Sequence, residues 1–396
     1  MNQKPLYNRW FIISLLVTMG VLSQFASDNY LPSLPAITAK LNTTPYLTQM
    51  TISIYLVGLF FSQLFYGPLG DNKGRRPVIF LGIFIFAIGT IICLTATSIQ
   101  FLLLGRLIQG LGIGATSALF RAIMRDCFQG IELARTGAYL GIVFAIIPAI
   151  APVTGGYIQS FFGWRYNFGL CLFLMIFISL YLYYYLPETL PLAKRRQRTI
   201  KQVIKTYGEI LLNTTFMANT LCSCLAYSAL MVYLTISPFL FQHVIGLTPI
   251  QYGWVMPLTA LSFLVGGIVN SQLMHRFSLL NIMTYGSVLQ LAAAIGMFLL
   301  GVLGYLNLYV ILIPMMVFIF ANAFIFANSF AGAFEPFPHI AGLIGALYAS
   351  LQMLFASGLS SIAAILPSHT QFSLASLLII LAIGINGLLA YLRKIN

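Results

Sequence analysis

The feature that most constrains this chain is a succession of apolar stretches, each long enough to cross a bilayer. A spanning helix needs about 17–25 predominantly apolar residues. Twelve stretches meet that length. Six come first: Phe11–Leu31, Tyr46–Gly67, Val78–Thr95, Ile99–Phe120, Thr136–Tyr157 and Tyr166–Leu186. Six follow: Phe216–Phe239, Tyr252–Leu273, Ile282–Leu303, Leu308–Phe330, Ile340–Ile365 and Phe372–Leu392. Only 7% of the residues are charged and 60% are hydrophobic, whereas a soluble domain carries roughly 25% charged residues. A soluble fold of this composition would lack the polar surface to stay dissolved. In a bilayer the lipid-facing positions can be apolar, and a helix satisfies its own backbone. The 396 residues therefore read as an all-α membrane protein rather than as two or three soluble domains.

The net charge of +13 would suit a nucleic-acid partner, but its placement argues against one. The basic residues sit in short clusters between apolar segments, where topology signals belong. The largest cluster, Lys194, Arg195, Arg196, Arg198, Lys201 and Lys205, falls within residues 187–213. That stretch reads as a linker, part of it an amphipathic helix on the membrane surface. It divides the chain into an N-terminal six-helix half, 1–186, and a C-terminal one, 214–396. Twelve spans put both termini on one side. That side carries 17 of the Lys and Arg residues, Lys4 and Arg9 at the start and Arg393 and Lys394 at the end among them. The opposite side carries two, Lys40 and Arg165, and Arg106 lies within span four. By the positive-inside rule the termini are expected in the cytoplasm. The opening Met1–Trp10 could begin a signal peptide, but the apolar run after it is too long for one and reads as span one.

Cys93, Cys127, Cys171, Cys222 and Cys224 show no secreted disulfide framework and read as small buried residues. His243, His275, His339 and His369 fall near span ends, which leaves no obvious metal site; no cofactor is expected.

Three polar clusters stand out. The first is Gly67-Pro-Leu-Gly-Asp71-Asn-Lys-Gly74-Arg75-Arg76 between spans two and three. Its glycines allow a tight reversal, and Asp71 can bond helix amides or pair with an Arg. The second is Gly105-Arg106-Leu-Ile-Gln109-Gly110-Leu-Gly112-Ile-Gly114 in span four. An arginine inside a membrane helix costs at least ~2.5–3.5 kcal/mol, needs a partner and marks a substrate or ion path. Gly110 and Gly114 at four-residue spacing permit close helix packing. The third is Pro148-Ala-Ile-Ala-Pro152-Val-Thr-Gly155-Gly156 in span five, where proline removes backbone donors. Gly137, Gly141 and Ala145 below it read as a packing stripe.

Of the seven acids, only Asp28 lies well inside a span. Asp28 and Arg106 both fall in the outer half of the bilayer. A carboxyl group in an apolar cavity binds and releases its proton near neutral pH, so Asp28 is the candidate proton carrier and Arg106 its companion. The competing reading is a helix-end residue, since Pro32 and Pro35 follow. Tyr30, Tyr227, Tyr233, Asn322 and Gln352 are candidate cavity residues, because aromatic walls with a few polar groups suit flat amphiphilic ligands.

Gly67, Asp71, Gly74, Arg75 and Arg76 resemble the signature loop of the major facilitator superfamily, with Asn72 where many members have a basic residue. In that family the loop's Asp latches the two halves in the outward-facing state. Arg106-x-x-Gln109-Gly110 resembles the span-four motif of proton-driven members. Pro148, Pro152, Gly155 and Gly156 resemble the span-five motif associated with antiporters, with Ala151 where Gly is usual. Trp164 to Phe168 also looks family-like. Ser27 to Pro35 closely resembles the end of span one in the bicyclomycin/chloramphenicol-resistance (Bcr/CflA) drug–proton antiporters. The resemblance implies twelve helices in two halves around a central cavity, in a bacterial inner membrane. It implies proton-coupled export of a small amphiphilic substrate, with a monomer expected. Export of an endogenous metabolite such as a siderophore, or nutrient uptake by symport, are alternatives. A membrane-embedded enzyme would need a nucleophile–base pair or metal cluster, and neither is visible. Direct ATP drive would need a phosphate-binding loop, also not seen.

Overall fold

Several of the helices begin where an apolar run meets a Ser, Thr or Asn. The Thr44, Ser98, Asn213 and Ser278 side chains accept backbone N–H groups of Leu47, Phe101, Phe216 and Asn281. Thr248 forms a reciprocal capping box with Gln251. Each cap stabilises its helix by about 1 kcal/mol, and together they keep the connections short. A computed structural model describes residues 9–195, 199–337, 340–367 and 370–395; Lys4, Arg196, Arg198, His339 and His369 lie outside the described residues.

The first spanning helices are α1 (Arg9–Asp28), α3 (Pro45–Lys73), α4 (Arg75–Thr95), α5 (Ile99–Cys127), α6 (Gly130–Phe161) and α7 (Arg165–Tyr185). The later ones are α9 (Thr214–Phe239), α10 (Pro249–Leu273), α11 (Leu279–Val302), α12 (Leu308–Phe334), α13 (Ala341–Ile365) and α14 (Gln371–Ile395). Two shorter helices complete the set, α2 (Leu34–Lys40) after α1 and α8 (Ile200–Leu211) in the linker. Among the described residues, twelve helical units, counting α1 and α2 together, are long and apolar enough to cross a membrane.

Several helices outrun the apolar stretches that announce them. Span one does not stop near Leu31. It breaks at Asp28, turns through a 3₁₀ segment at Leu31–Ser33 and resumes as α2 to Lys40. Span two runs through Pro68 to Lys73, so Asp71 sits in its last turns and Gly74 alone joins α3 to α4. Gly74 has φ +103°, a conformation in which an L side chain would be strained. Span four continues past Phe120 to Cys127 and carries Arg121 and Arg125 into the helix. Hydropathy reports contact with lipid. A helical turn that faces other protein is polar and ends the apolar signal early.

The two sets of six meet through α3 against α13 and α6 against α10. Cross-set hydrogen bonds sit at the end far from the linker. The Gln49 amide donates to the Thr235 carbonyl at 2.9 Å, Ser357 to the Ser53 carbonyl at 2.9 Å, and Gln242 to the Pro32 carbonyl at 3.1 Å. At the same end α6 and α10 touch backbone to backbone, Gly156 against Pro249 and Gly253 against Pro152. Toward the linker α6 behaves differently. Among the described residues a Cβ at Gly137 or Gly141 would meet nothing within 4 Å, and the close approach of α6 lies higher, at Gly155 and Gly156. In the linker, Val203 and Ile210 of α8 are buried with Phe216, Ile344 and Leu347, while Ile204 stays exposed.

Candidate functional site

Arg106 is 1% exposed, and its position in α5 explains how that is tolerated. Its guanidinium lies between two rings, 4.2 Å from the centroid of Tyr30 and 4.1 Å from that of Tyr55. Its Nη1 donates to the Gln109 side-chain oxygen at 2.9 Å and to the Ala26 carbonyl at 3.1 Å; its Nε donates to the Thr51 carbonyl at 3.5 Å. Ala26 belongs to the last turn of α1, where carbonyls have no partner within the helix, so Arg106 caps the broken end of α1. Gln109 is held in turn by Thr90, to which its amide donates at 2.9 Å. A desolvated cation–π contact contributes about 2 kcal/mol and a hydrogen bond to a charged group about 1.5–3 kcal/mol. Two rings and two good hydrogen bonds outweigh an insertion cost of ~2.5–3.5 kcal/mol.

Asp28 is the last residue of α1 and is buried. The helix-end and the buried-acid readings are thus both true of it. Its carboxylate lies near enough to Arg106 for the two charges to interact. Among the described residues the two form no ion pair. The tyrosines that feel its charge come from both sets of helices: Tyr55 from α3, Tyr227 from α9 and Tyr252 from α10. Tyr252, which the sequence did not single out, is fully buried and shares a 3.0 Å hydrogen bond with Ser237. Because Arg106 is satisfied by rings and carbonyls, neutralising Asp28 would strand no buried cation.

The break after Asp28 is itself braced. The Asn29 amide donates to the Asn167 carbonyl at 3.0 Å, and the Asn167 amide to the Ser33 hydroxyl at 2.7 Å. Gly155 of α6 lies directly on the Asn29 carbonyl. The span-one ending, the Gly155-Gly156 pair and the start of α7 thus form one cluster, though they are far apart in the chain. Pro148 and Pro152 lie within α6, which runs unbroken through both. Gly110 packs on the α3 backbone at Tyr55 and Gly58, and Gly114 on Ser62.

At the linker end, Asp71 pairs with Arg75 at 2.6 Å, and Arg75 Nε reaches Asp126 at 3.1 Å. Glu188, the first acid after α7, accepts the Arg75 and Arg76 backbone N–H groups at 2.9 and 3.3 Å and so caps α4. Arg195 lies 3.8 Å from the same carboxylate. Arg76 donates to the Tyr183 carbonyl at 2.7 Å. All these partners lie before α8; Gly67, by contrast, lies close to Ala346 of α13.

Between the two sets, at this end, is a cavity of about 350 Å³. Asp71, Arg75, Arg121 and Arg125 line one side, and Phe326, Phe330, Phe334, Tyr348 and Gln352 the other. Tyr348 and Gln352 both donate to the Ser223 hydroxyl, at 2.5 and 2.7 Å. Of the five expected cavity residues, Gln352 alone lines this space. Tyr30 is committed to Arg106 and Thr51. Tyr233 is fully buried beside Phe241, Tyr227 lies toward Asp28 and Phe326, and Asn322 links Gln290 to the Ala226 carbonyl. Arg121 and Arg125, read from the sequence as loop charges, belong to the cavity because α5 extends two turns further.

Residues 16–360 match the Major Facilitator Superfamily family model. The chain belongs to the major facilitator superfamily. Its helices and twelve-span fold are those of a transporter. Among similar proteins is Multidrug resistance protein D of Escherichia coli (strain K12), 28% identical over 374 residues, covering 94% of this chain and 93% of that one. Another is a Bicyclomycin resistance protein homolog of Haemophilus influenzae, 24% identical over 358 residues, covering 90% of each. These names agree with the Bcr/CflA resemblance. Among solved structures, a D-xylose–proton symporter superposes with a TM-score of 0.73 at 16% identity, over 95% of this chain and 97% of that one. A bacterial homolog of the human lysosomal transporter Spinster gives 0.70 at 15%, over 99% and 96%. With twelve apolar helices and such bacterial relatives, this facilitator is a multi-pass inner-membrane protein.

Proposed function

We propose that this facilitator exports small amphiphilic molecules in exchange for protons, by alternating access between residues 1–186 and 214–396 joined by the linker 187–213. The observation that carries the reading is the arrangement around Asp28: a buried acid at a helix break, beside a buried arginine that does not need it. Asp28 carries the proton. Arg106 holds the broken end of α1 and biases the carboxyl electrostatically. The linker end is the cytoplasmic end, as its basic residues require. With the far end closed by α3–α13 and α6–α10 and the cavity at the linker end, this is an inward-facing state.

The Asp71 loop acts as the latch. Here Asp71 is turned to Arg75 on its own side; closing the cavity would bring it to α13, where Ala346 already lies beside Gly67. Glu188 holds the α3–α4 corner in shape. Pro148, Pro152, Gly155 and Gly156 let α6 press against α10 and against the break in α1, which ties the outer closure to the segment that carries Asp28. The relatives named for multidrug and bicyclomycin resistance support drugs as substrates. The chain acts as a transporter and not as an enzyme, as a monomer, with neither cofactor nor nucleic acid.

The test is a substrate screen in reconstituted vesicles under an imposed pH gradient, with wild type beside Asp28→Asn. Gradient-driven movement in wild type and its loss in the variant are expected. Movement of a nutrient together with protons, rather than against them, would replace export by uptake.

A further inference from the structure

Arg121 stands out among the basic residues of the cavity. Arg75 is held by Asp71 and Asp126, and the charges of Asp126 and Asp71 bear on Arg125. Arg121 lies one helical turn deeper. Among the described residues it makes no ion pair, and the titratable side chains that act on it are Arg125 and Tyr348. Its contact is a weak one, with the Phe120 ring at 5.2 Å. The cavity walls hold three arginines and one aspartate, and that aspartate is already paired. A cleft of one sign of charge with low-dielectric walls concentrates the opposite sign.

The facing wall has a different chemistry. Phe326, Phe330 and Phe334 recur every four residues, so they share one face of α12. The Phe330 and Phe334 rings stack at 4.2 Å, and Tyr348 meets both edge-on at 5.5 and 5.9 Å. Phe330 lines the cavity and, although packed on Phe334, is still 44% exposed. A flat apolar body could lie on this wall with a polar head toward Arg121. A volume of about 350 Å³ falls within the range of small-molecule sites, roughly 300–1,000 Å³.

We infer that this cavity selects organic anions: flat amphiphiles whose carboxylate, sulfonate or phenolate is received by Arg121 and whose ring lies against Phe330 and Phe334. The inference rests on the transport reading above and names its substrate class. Arginine's planar fork suits such oxygen pairs. An aromatic wall alone would also accept a cation through the ring faces, but at this site a cation would meet Arg121 unscreened, and like-charge repulsion is the stronger effect.

The test uses two probes of the same shape and opposite charge, 2-naphthalenesulfonate and 2-naphthyltrimethylammonium. Binding is measured by equilibrium dialysis of the full chain in a neutral detergent, with no anionic lipid present to occupy the site. The sulfonate should bind at least about tenfold more tightly than the ammonium. Arg121→Gln should erase that preference and Arg121→Lys should restore most of it. Equal or better binding of the ammonium, a preference that survives Arg121→Gln, or binding of neither probe would overturn the inference. The wild-type comparison stands even if a variant misfolds. The same proteins in vesicles separate the two readings. A charge preference without movement under a pH gradient contradicts proton-coupled export and upholds the anion site. Gradient-driven export of a cationic drug, with no charge preference in binding, does the reverse.

Discussion

Arg106 and Arg121 sit on one helix, fifteen residues and about 22 Å apart, and are opposite in circumstance. Arg106 is enclosed by two tyrosine rings, a glutamine and two carbonyls. Arg121 faces a cavity whose one aspartate, among the described residues, is already paired with Arg75. The first is a brace whose partners are all internal. The second has its binding capacity left over. A charge inside a membrane protein therefore marks function in two ways: by what it holds in place, or by what it still lacks.

The comparison can be broken first at Arg106. Arg106→Ala would leave the Ala26 carbonyl, Gln109 and a ring-lined void unsatisfied. Losing one member of a buried charged network costs about 3–5 kcal/mol, so a large fall in apparent Tm and loss of transport are expected; a calorimetric or fluorescence melt checks this, and Arg106→Lys should retain part of both. Gln109→Leu comes next. It removes one acceptor from Arg106 and frees Thr90, for an expected loss of about 1–3 kcal/mol in the same melt. Glu188→Gln removes the charge that caps α4 and faces Arg195. The favourable interaction of a carboxylate with a helix N-terminus is about 0.3–1 kcal/mol, so a small drop in Tm is expected and would be lessened further by salt. Arg121→Gln should be the mildest for stability, within about 0.5 kcal/mol. A destabilisation as large as that of Arg106→Ala would show that the two arginines are not different in kind.

Much of this was legible in the chain. The twelve spans and their order follow from apolar length, and α11 and α13 begin and end within three residues of the apolar runs that mark them. What hydropathy could not show is where a helix continues without lipid around it. That concealed the last turns of α3 and α5, and with them the fact that Arg121 and Arg125 line a cavity rather than a loop. Asp28 and Arg106 were each visible as costly residues, but their relation was not. A sequence invites pairing the lone acid with the lone base, whereas the fold gives Arg106 the freed carbonyl of α1 and two aromatic faces. Tyr252 carried no signal beyond being one of many tyrosines; only the approach of α10 to the end of α1 makes it a neighbour of Asp28. Gly137 and Gly141 had the right spacing for a packing face, whereas among the described residues the close approach of α6 falls at Gly155 and Gly156.

The central claim is that Asp28 couples transport to protons. It is tested most directly by comparing wild type with Asp28→Asn in vesicles loaded with one substrate, once under a pH gradient and once with the same substrate on both sides and no gradient. Asp28→Asn should lose gradient-driven accumulation, by about a hundredfold or more, while still exchanging labelled for unlabelled substrate. Accumulation by Asp28→Asn at the wild-type level would contradict the account.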